Sequence, residues 1–196
     1  TQPNLALHLG EIDINAFQHY AFLENDMEEN NYALHVLSET FYFPLGVYSK
    51  KHTELDSIPP KAQVVIPNDP SNGSRALKLL EDQRLLYFDE KESLYERETI
   101  KENPFDLEII EMDAAMIPST LSEVDFAIIN AGVAVDNGLK PLEDALVLEN
   151  PMGENRKYVN IIVSRKKDAH NENILKLINL YHQEDVYEIV DKETSG

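Results

Sequence analysis

The sequence contains no cysteine, few basic residues and no long apolar run. The lack of cysteine excludes disulfide bonds and thiolate chemistry, although it does not select a cellular compartment. Only 17 lysines and arginines stand against 36 acidic residues, which gives a formal net charge of −19. Such a chain carries too little positive charge to neutralise phosphates, so we expect no nucleic acid partner. No apolar stretch approaches the ~20 residues that a membrane-spanning helix needs.

Motifs for catalysis and for metal binding are also missing. The chain has neither a nucleophile elbow nor a glycine loop of the kind that binds phosphate. His170 and His182 do not have the spacing of metal ligands. The many carboxylates form no recognisable pair. We therefore expect no catalytic residue, no metal ion and no cofactor, and an enzyme is not the expected class.

The stretch most typical of a binding site joins a predicted strand to a predicted helix. Residues 64–66 are β-branched and predict a buried strand, and leucines at helical spacing follow. Asp69 stands at the expected N-cap and Pro70 at the first helical position. A helix N-terminus suits an anion, and Arg75 adds a forked donor that matches a carboxylate. Alternatively, Arg75 is solvated or pairs with a neighbouring acid.

Two asparagines occupy unusual places on apolar strands. Asn130 ends the predicted strand 126–130, and ligands of α/β sheets bind beyond such strand ends. Its side chain offers both a donor and an acceptor, which suits an amino acid, but it could equally cap the following helix. Asn160 interrupts the apolar strand 158–164, where a buried amide needs partners. The alternative for Asn160 is a turn-facing or edge position.

Aromatic side chains accompany two further segments. Phe17 and His19 stand beside a predicted strand end, and His19 could form a hydrogen bond with a ligand. A lone histidine beside a helix start more often has a structural role. Phe41 and Phe43 alternate along a β-prone stretch, and such a stripe usually belongs to a hydrophobic core.

The order of the predicted elements indicates an α/β fold. From residue 62 onward, continuous apolar strands alternate with helices, which predicts a mostly parallel sheet covered on both faces. Before that point we expect a short helix over 5–10, a brief strand over 11–15 and a helix over 17–36. Residues 50–61 are polar and predict a linker. The tail predicts a helix over 172–192 with a break near 183–185.

Five segments, taken together, resemble the NlpA-type family of methionine-binding lipoproteins of bacterial ABC importers. They occur in the expected order and cover essentially the whole chain. The segments are NAFQH (15–19), TFYFPLGVYSKK (40–51), VVIPNDPSNGSRAL (64–77), FAIINAGVAVDNGL (126–139) and YVNIIVSRKKD (158–168).

The resemblance implies an α/β, two-lobed, periplasmic-binding-protein-like fold of type II with two interlobe crossings. The crossings are expected near 48–58 and 150–158. Lobe one would then comprise 1–55 and 157–196, and lobe two would comprise 56–156. Family members begin with a further strand, helix and strand after a lipidated cysteine, so we expect lobe one to be incomplete at the N-terminus of this chain.

The resemblance also implies a function, namely an extracytoplasmic solute-binding protein of an ABC importer. The ligand would be methionine or a closely related amino acid or dipeptide, held in an interlobe cleft. Arg75 would bind its carboxylate, and Asn130 and Asn160 its other polar backbone atoms. Aromatic residues would wall the side-chain pocket, namely Phe17, His19, Phe41 and Phe43.

Partners and location follow from the same resemblance. The partners would be an ABC permease subunit and, through an N-terminal lipid anchor absent from this chain, a membrane. The expected location is the cell envelope, at the outer face of the cytoplasmic membrane or in the periplasm. Two other functions stay open on this fold. A ligand-sensing regulatory domain would normally be fused to a basic DNA-binding module, and an enzyme such as a deaminase or dehydratase would need a general acid or base near Arg75.

Overall fold

A computed structural model describes residues 2–55, 58–89, 95–150 and 154–194. Contacts divide the chain into two compact units. The first unit contains the described parts of Thr1–Phe43 and Pro151–Thr194, and the second contains the described part of Pro44–Asn150. The elements are α1 (Gln2–Leu9), β1 (Ile14–His19), α2 (Tyr20–Asn30), β2 (Leu34–Tyr42), β3 (Leu45–Tyr48), β4 (Gln63–Pro67), α3 (Pro70–Asp82), β5 (Glu108–Met112), β6 (Phe126–Asn130), α4 (Ala131–Asp136), α5 (Pro141–Asp144), β7 (Val147–Leu148), β8 (Val159–Arg165), α6 (Glu172–Tyr181) and α7 (Glu184–Thr194), with 3₁₀ turns at Arg97–Thr99, Ala114–Thr120, Glu154–Tyr158 and Lys166–Asp168.

The second unit is built on a five-stranded sheet with the order β5-β4-β6-β3-β7. Strand β4 runs parallel to β5 and β6, whereas β3 runs antiparallel to β6 and β7. Side chains of a strand alternate between its two faces. Val64 and Ile66 pack in one core with leucines of α3, and Val65 packs in the core of the opposite face. The sheet is therefore covered on both faces, as the continuous apolar run predicted.

The first unit is built on a three-stranded sheet with the order β1-β8-β2, in which β8 is antiparallel to both neighbours. Ile161 and Val163 pack on one face, beneath α1 and α2, and Ile162 packs on the other face against α6. Each sheet thus contains one reversed strand, β3 in the second unit and β8 in the first. Each is the first strand formed after the chain passes from one unit to the other.

The N-terminal third differs most from the sequence-based expectation. The helix predicted over 17–36 is wrong, because Phe17 lies in β1, α2 spans Tyr20–Asn30 and Leu34 begins β2. Asn31 ends α2 in the left-handed conformation at φ 55°. The brief strand expected over 11–15 begins three residues later, at Ile14. The break predicted in the tail is confirmed, since α6 ends at Tyr181 and α7 begins at Glu184.

The boundaries between the units also lie at other positions than the sequence predicted. The first was expected between 55 and 56 and lies between 43 and 44, because β3 hydrogen-bonds to β6 and β7 of the second unit. The second was expected between 156 and 157 and lies between 150 and 151. Residues 56–57 of the predicted linker and 151–153 of the predicted second crossing lie outside the described residues. Across the described ranges, no helix combines the length and apolar character needed to cross a membrane.

Candidate functional site

The candidate site begins where β4 gives way to α3. Asp69 is the N-cap of this helix and Pro70 its first residue, as the sequence predicted. The Asp69 carboxylate accepts a hydrogen bond of 2.9 Å from the backbone N–H of Asn72. A Cβ atom added to Gly73 would lie 2.9 Å from the carbonyl oxygen of Pro67. Glycine is therefore required for the helix to begin this close to the end of the strand.

A chain of side-chain hydrogen bonds leads from this helix start to the end of β6. The Asn72 amide Nδ2 donates to both Asp69 carboxylate oxygens at 3.1 Å. The Asn72 Oδ1 in turn accepts from Asn130 Nδ2 at 2.9 Å. Asn130 is the N-cap residue of α4, as the alternative expected, but its side chain makes no capping hydrogen bond. Its Oδ1 is buried and has no hydrogen-bond partner within the described part of the chain.

Arg75 lies one turn further along α3 and is only 2% exposed. Its Nε donates to the two Glu149 carboxylate oxygens at 2.9 and 2.8 Å, and its Nη2 donates to Oε2 at 2.5 Å. The sequence left several roles open for this guanidinium, namely binding of a ligand carboxylate or, alternatively, contact with solvent or with a neighbouring acid. An acid does pair with Arg75, but it is 74 residues away along the chain. A contact between Arg75 and a ligand remains a prediction.

The pairs Asn72–Asn130 and Arg75–Glu149 both involve a residue that neighbours Leu45, the first residue of β3. Leu45 stands opposite Asn130 in the β3–β6 ladder. On its other side, the Leu45 backbone donates to Glu149 Oε2 at 3.2 Å and accepts from the Glu149 backbone N–H at 2.8 Å. Asn72 and Arg75 are three residues apart and share one face of α3. Helix α3 is thus fixed to the ends of β6 and β7, the two neighbours of β3, by one amide pair and one ion pair.

The buried Tyr48 hydroxyl also has no hydrogen-bond partner within the described residues, yet its surroundings differ. Tyr48 packs in an apolar cluster with Ile117 and Ile129. Burial, with a smaller effect of the Asp144 charge, raises the pKa of Tyr48 to about 12. The hydroxyl is therefore a neutral group in an apolar cluster, whereas the Asn130 amide belongs to a chain of polar side chains. We assign Tyr48 to the core and Asn130 to the candidate site.

In the first unit, His19 and Asn160 stand directly opposite each other in the β1–β8 ladder. Directly opposed residues direct their side chains to the same face of a sheet. The Nδ1 of His19 accepts from the backbone N–H of Phe22 at 3.1 Å, so His19 caps α2. Its ring meets Tyr158 edge to face at 5.3 Å. The structural role of His19 is therefore present, and ligand contacts by His19 and Asn160 remain predictions.

The remaining predicted wall residues also belong to the first unit. Phe17 is 42% exposed and meets Phe22 edge to face at 5.9 Å. The Phe41 ring lies 6.0 Å from Phe43 and 5.3 Å from Tyr187 of α7. Phe41 therefore packs on the C-terminal helix. A role of these rings in binding a ligand side chain remains a prediction.

The structure thus groups the predicted site residues by unit. Arg75 and Asn130 come together through α3 in the second unit, and the others lie in the first unit, namely Phe17, His19, Phe41, Phe43 and Asn160. Sequence reasoning missed Asn72 and Glu149. The apolar run 145–148 predicts a strand that ends at Glu149, just as the run 126–129 ends at Asn130, so the same rule would have found Glu149. In the described ranges, no group of three or more side chains has the arrangement of a metal site.

A cavity of about 210 Å³ lies beside the first turn of α3. Its lining includes Tyr95, Arg97 and Glu111. Neither Arg75 nor Asn130 is among the described residues that line it. The cavity therefore borders the hydrogen-bond chain at Asp69 but does not extend to its Asn130 end, and we do not include it in the candidate site.

Comparisons with known proteins place this chain in a family. The whole chain, residues 1–196, matches the family described as NlpA lipoprotein. A probable D-methionine-binding lipoprotein MetQ of Pasteurella multocida is 38% identical over 197 residues, which cover 100% of this chain and 70% of that protein.

Solved structures agree with this match. A nutrient-binding protein of Burkholderia cenocepacia, bound to methionine, is similar with a TM-score of 0.95 and 37% identity over 100% of this chain and 82% of that one. A periplasmic substrate-binding protein of an ABC transporter from Coxiella burnetii is similar with a TM-score of 0.93 and 35% identity, over 99% of this chain and 81% of that one. The chain accordingly has the α/β fold of periplasmic substrate-binding proteins, as its sequence predicted.

Proposed function

Because this chain belongs to the NlpA lipoprotein family, we propose that it is the substrate-binding component of an ABC importer and that it binds methionine or a closely related amino acid or dipeptide. Two comparisons support this proposal. The relative from Pasteurella multocida is named as a probable D-methionine-binding lipoprotein. The similar structure from Burkholderia cenocepacia is bound to methionine.

The observation that carries the proposal is the buried Oδ1 of Asn130. A buried acceptor without a partner costs about 1–3 kcal/mol, and this one has none within the described residues. The ammonium group of an amino acid would supply the missing donor and recover that cost. Because Glu149 already neutralises the charge of Arg75, the carboxylate of the same ligand would have to share the guanidinium with Glu149.

We propose binding and release without a chemical step, in preference to an enzyme or a ligand-sensing regulatory domain. The relatives described above are named for what they bind or for their place in a transporter. The protein would deliver its ligand to an ABC permease. It would be held at the outer face of the cytoplasmic membrane by an N-terminal lipid, as the word lipoprotein in the family description implies.

Titration calorimetry tests this function with both enantiomers of methionine, and with glutamate and lysine as ligands of the wrong class. We expect heat of binding with methionine alone. The variant Asn130→Ala loses a hydrogen bond to a charged group, so its affinity should fall about tenfold to a hundredfold. Exposed Asn68 offers a matched control, because Asn68→Ala makes the same chemical change outside the cluster. Binding of glutamate or lysine without binding of methionine would contradict the proposal.

A further inference from the structure

The orientation of the Asn130 amide is determined by Asp69, which is linked to Asn130 through the side chain of Asn72. As a carboxylate, Asp69 has acceptors and no proton to donate. It lies within hydrogen-bond distance of one side-chain atom of Asn72, and that atom must therefore be the NH₂ group. The opposite end of the Asn72 amide, its carbonyl oxygen, then faces Asn130 at 2.9 Å.

The same reasoning applies to the next link. An oxygen of Asn72 can only accept, so Asn130 must turn its NH₂ group towards Asn72. The alternative rotamer would place two oxygens against each other. The carbonyl oxygen of Asn130 is thereby directed away from Asn72, and it is the buried atom without a partner in the described chain.

We propose that Asp69 and Asn72 are positioning residues that commit Asn130 to be a hydrogen-bond acceptor. The site then selects ligands that present a donor, such as an α-ammonium group, and rejects analogues that present an oxygen at the same position. This inference rests on the proposed function, because the ligand class comes from there. It adds a physical origin for the selectivity and two residues that need not touch the ligand.

The test compares methionine with its 2-oxo analogue, 4-methylthio-2-oxobutanoate, in which a carbonyl oxygen replaces the ammonium group. The readout is the ratio of the two dissociation constants. Asp69→Asn keeps a good N-cap but introduces a donor, so the amides of Asn72 and Asn130 are no longer fixed. We expect the preference for methionine to fall about tenfold. A general loss of fit would weaken both ligands together and leave the ratio unchanged.

Asn72→Ala is the second variant, since it removes the middle link and should lower the same ratio. Asn68→Ala is the control, since it alters an exposed amide, and its ratio should equal that of the unmodified protein. The inference would be overturned if both Asp69→Asn and Asn72→Ala kept a ratio of dissociation constants within about twofold of that of the unmodified protein.

A measurement without ligand separates this inference from the proposed function. The side-chain NH₂ resonances of Asn130 are identified by NMR from their loss in Asn130→Ala. We expect nuclear Overhauser contacts from these protons to the side chain of Asn72, and a changed chemical shift in Asp69→Asn. If the protein bound no methionine, the proposed function would fail, and the positioning role of Asp69 and Asn72 would be judged on these resonances alone. Unchanged Asn130 resonances in Asp69→Asn would overturn the positioning role of these two residues.

Discussion

The two units each contain a network of amides and a carboxylate, but one network is closed and the other is open. In the first unit, Asn4 donates to Gln18 and Asp26 and accepts from Asn15 and Gln18, all at 2.7–2.9 Å. In the second unit, the chain from Asp69 ends at an Asn130 oxygen without a partner in the described residues. A closed network fixes α1 and α2 to β1, whereas an open one leaves a place for a ligand atom.

The difference shows what burial of polar groups does and does not reveal. The first network is buried throughout, whereas in the second only Asn72 is buried and Asp69 and Asn130 are half-buried. Both networks combine amides with one carboxylate, so composition does not distinguish them. The hydrogen-bond count at each oxygen and nitrogen does. Stabilities of chosen variants therefore test whether the first network is structural and the second is functional.

The largest effect on the free energy of unfolding is expected at the Arg75–Glu149 ion pair, beside the open network. Arg75→Ala would leave the Glu149 carboxylate buried without its partner, and such a loss costs about 3–5 kcal/mol of unfolding free energy. The double variant Arg75→Met/Glu149→Leu should regain most of that stability, since an apolar pair of similar volume replaces the ions. Urea unfolding measures all three proteins. A double variant as unstable as Arg75→Ala would contradict this account.

A somewhat smaller effect is expected in the closed network. Asn4→Ala removes the hub and leaves polar atoms of Asn15, Gln18 and Asp26 without one of their hydrogen bonds. We expect a loss of about 2–4 kcal/mol in the free energy of unfolding, with the affinity for methionine unchanged in the folded protein. Urea unfolding and calorimetry together check this. A stable Asn4→Ala variant with weakened binding would reverse the roles of the two networks.

The smallest effect on stability is expected at Asn130, although it should affect ligand affinity strongly. Asn130→Ala removes a buried oxygen without a partner and also removes the donor to Asn72, and the two changes oppose each other. We expect the free energy of unfolding without ligand to change by less than about 1 kcal/mol. A loss above about 2 kcal/mol in urea unfolding would mean that the oxygen is satisfied within the free protein.

Local signals in the sequence predicted much of the second unit. The start of α3 follows from Asp69 and Pro70, whose preferences act within one turn of helix. The bounds of β6 follow from a continuous apolar run. Asn130 was identified because it ends that strand. Each of these features depends on residues that are close together in the chain.

The features that sequence reasoning missed depend on residues far apart. The partner of Arg75 is Glu149, and only the arrangement of β3 and β7 brings the two together. In the first unit, Phe17, Tyr20 and Leu23 have helical spacing, but Phe17 lies in β1, a strand of a sheet whose central strand begins at residue 159. Tertiary pairing overrode the local pattern there.

The place of β8 between β1 and β2 has a consequence for how the protein is made. A ribosome releases the strands of residues 14–42 long before residues 159–165, yet Ile14 pairs with Ser164 and Leu34 with Arg165. All five strands of the second sheet come from one continuous segment, which favours its earlier folding during synthesis. A nascent chain that stops before residue 159 would therefore hold a complete second sheet, while β1 and β2 would still lack the strand that joins them.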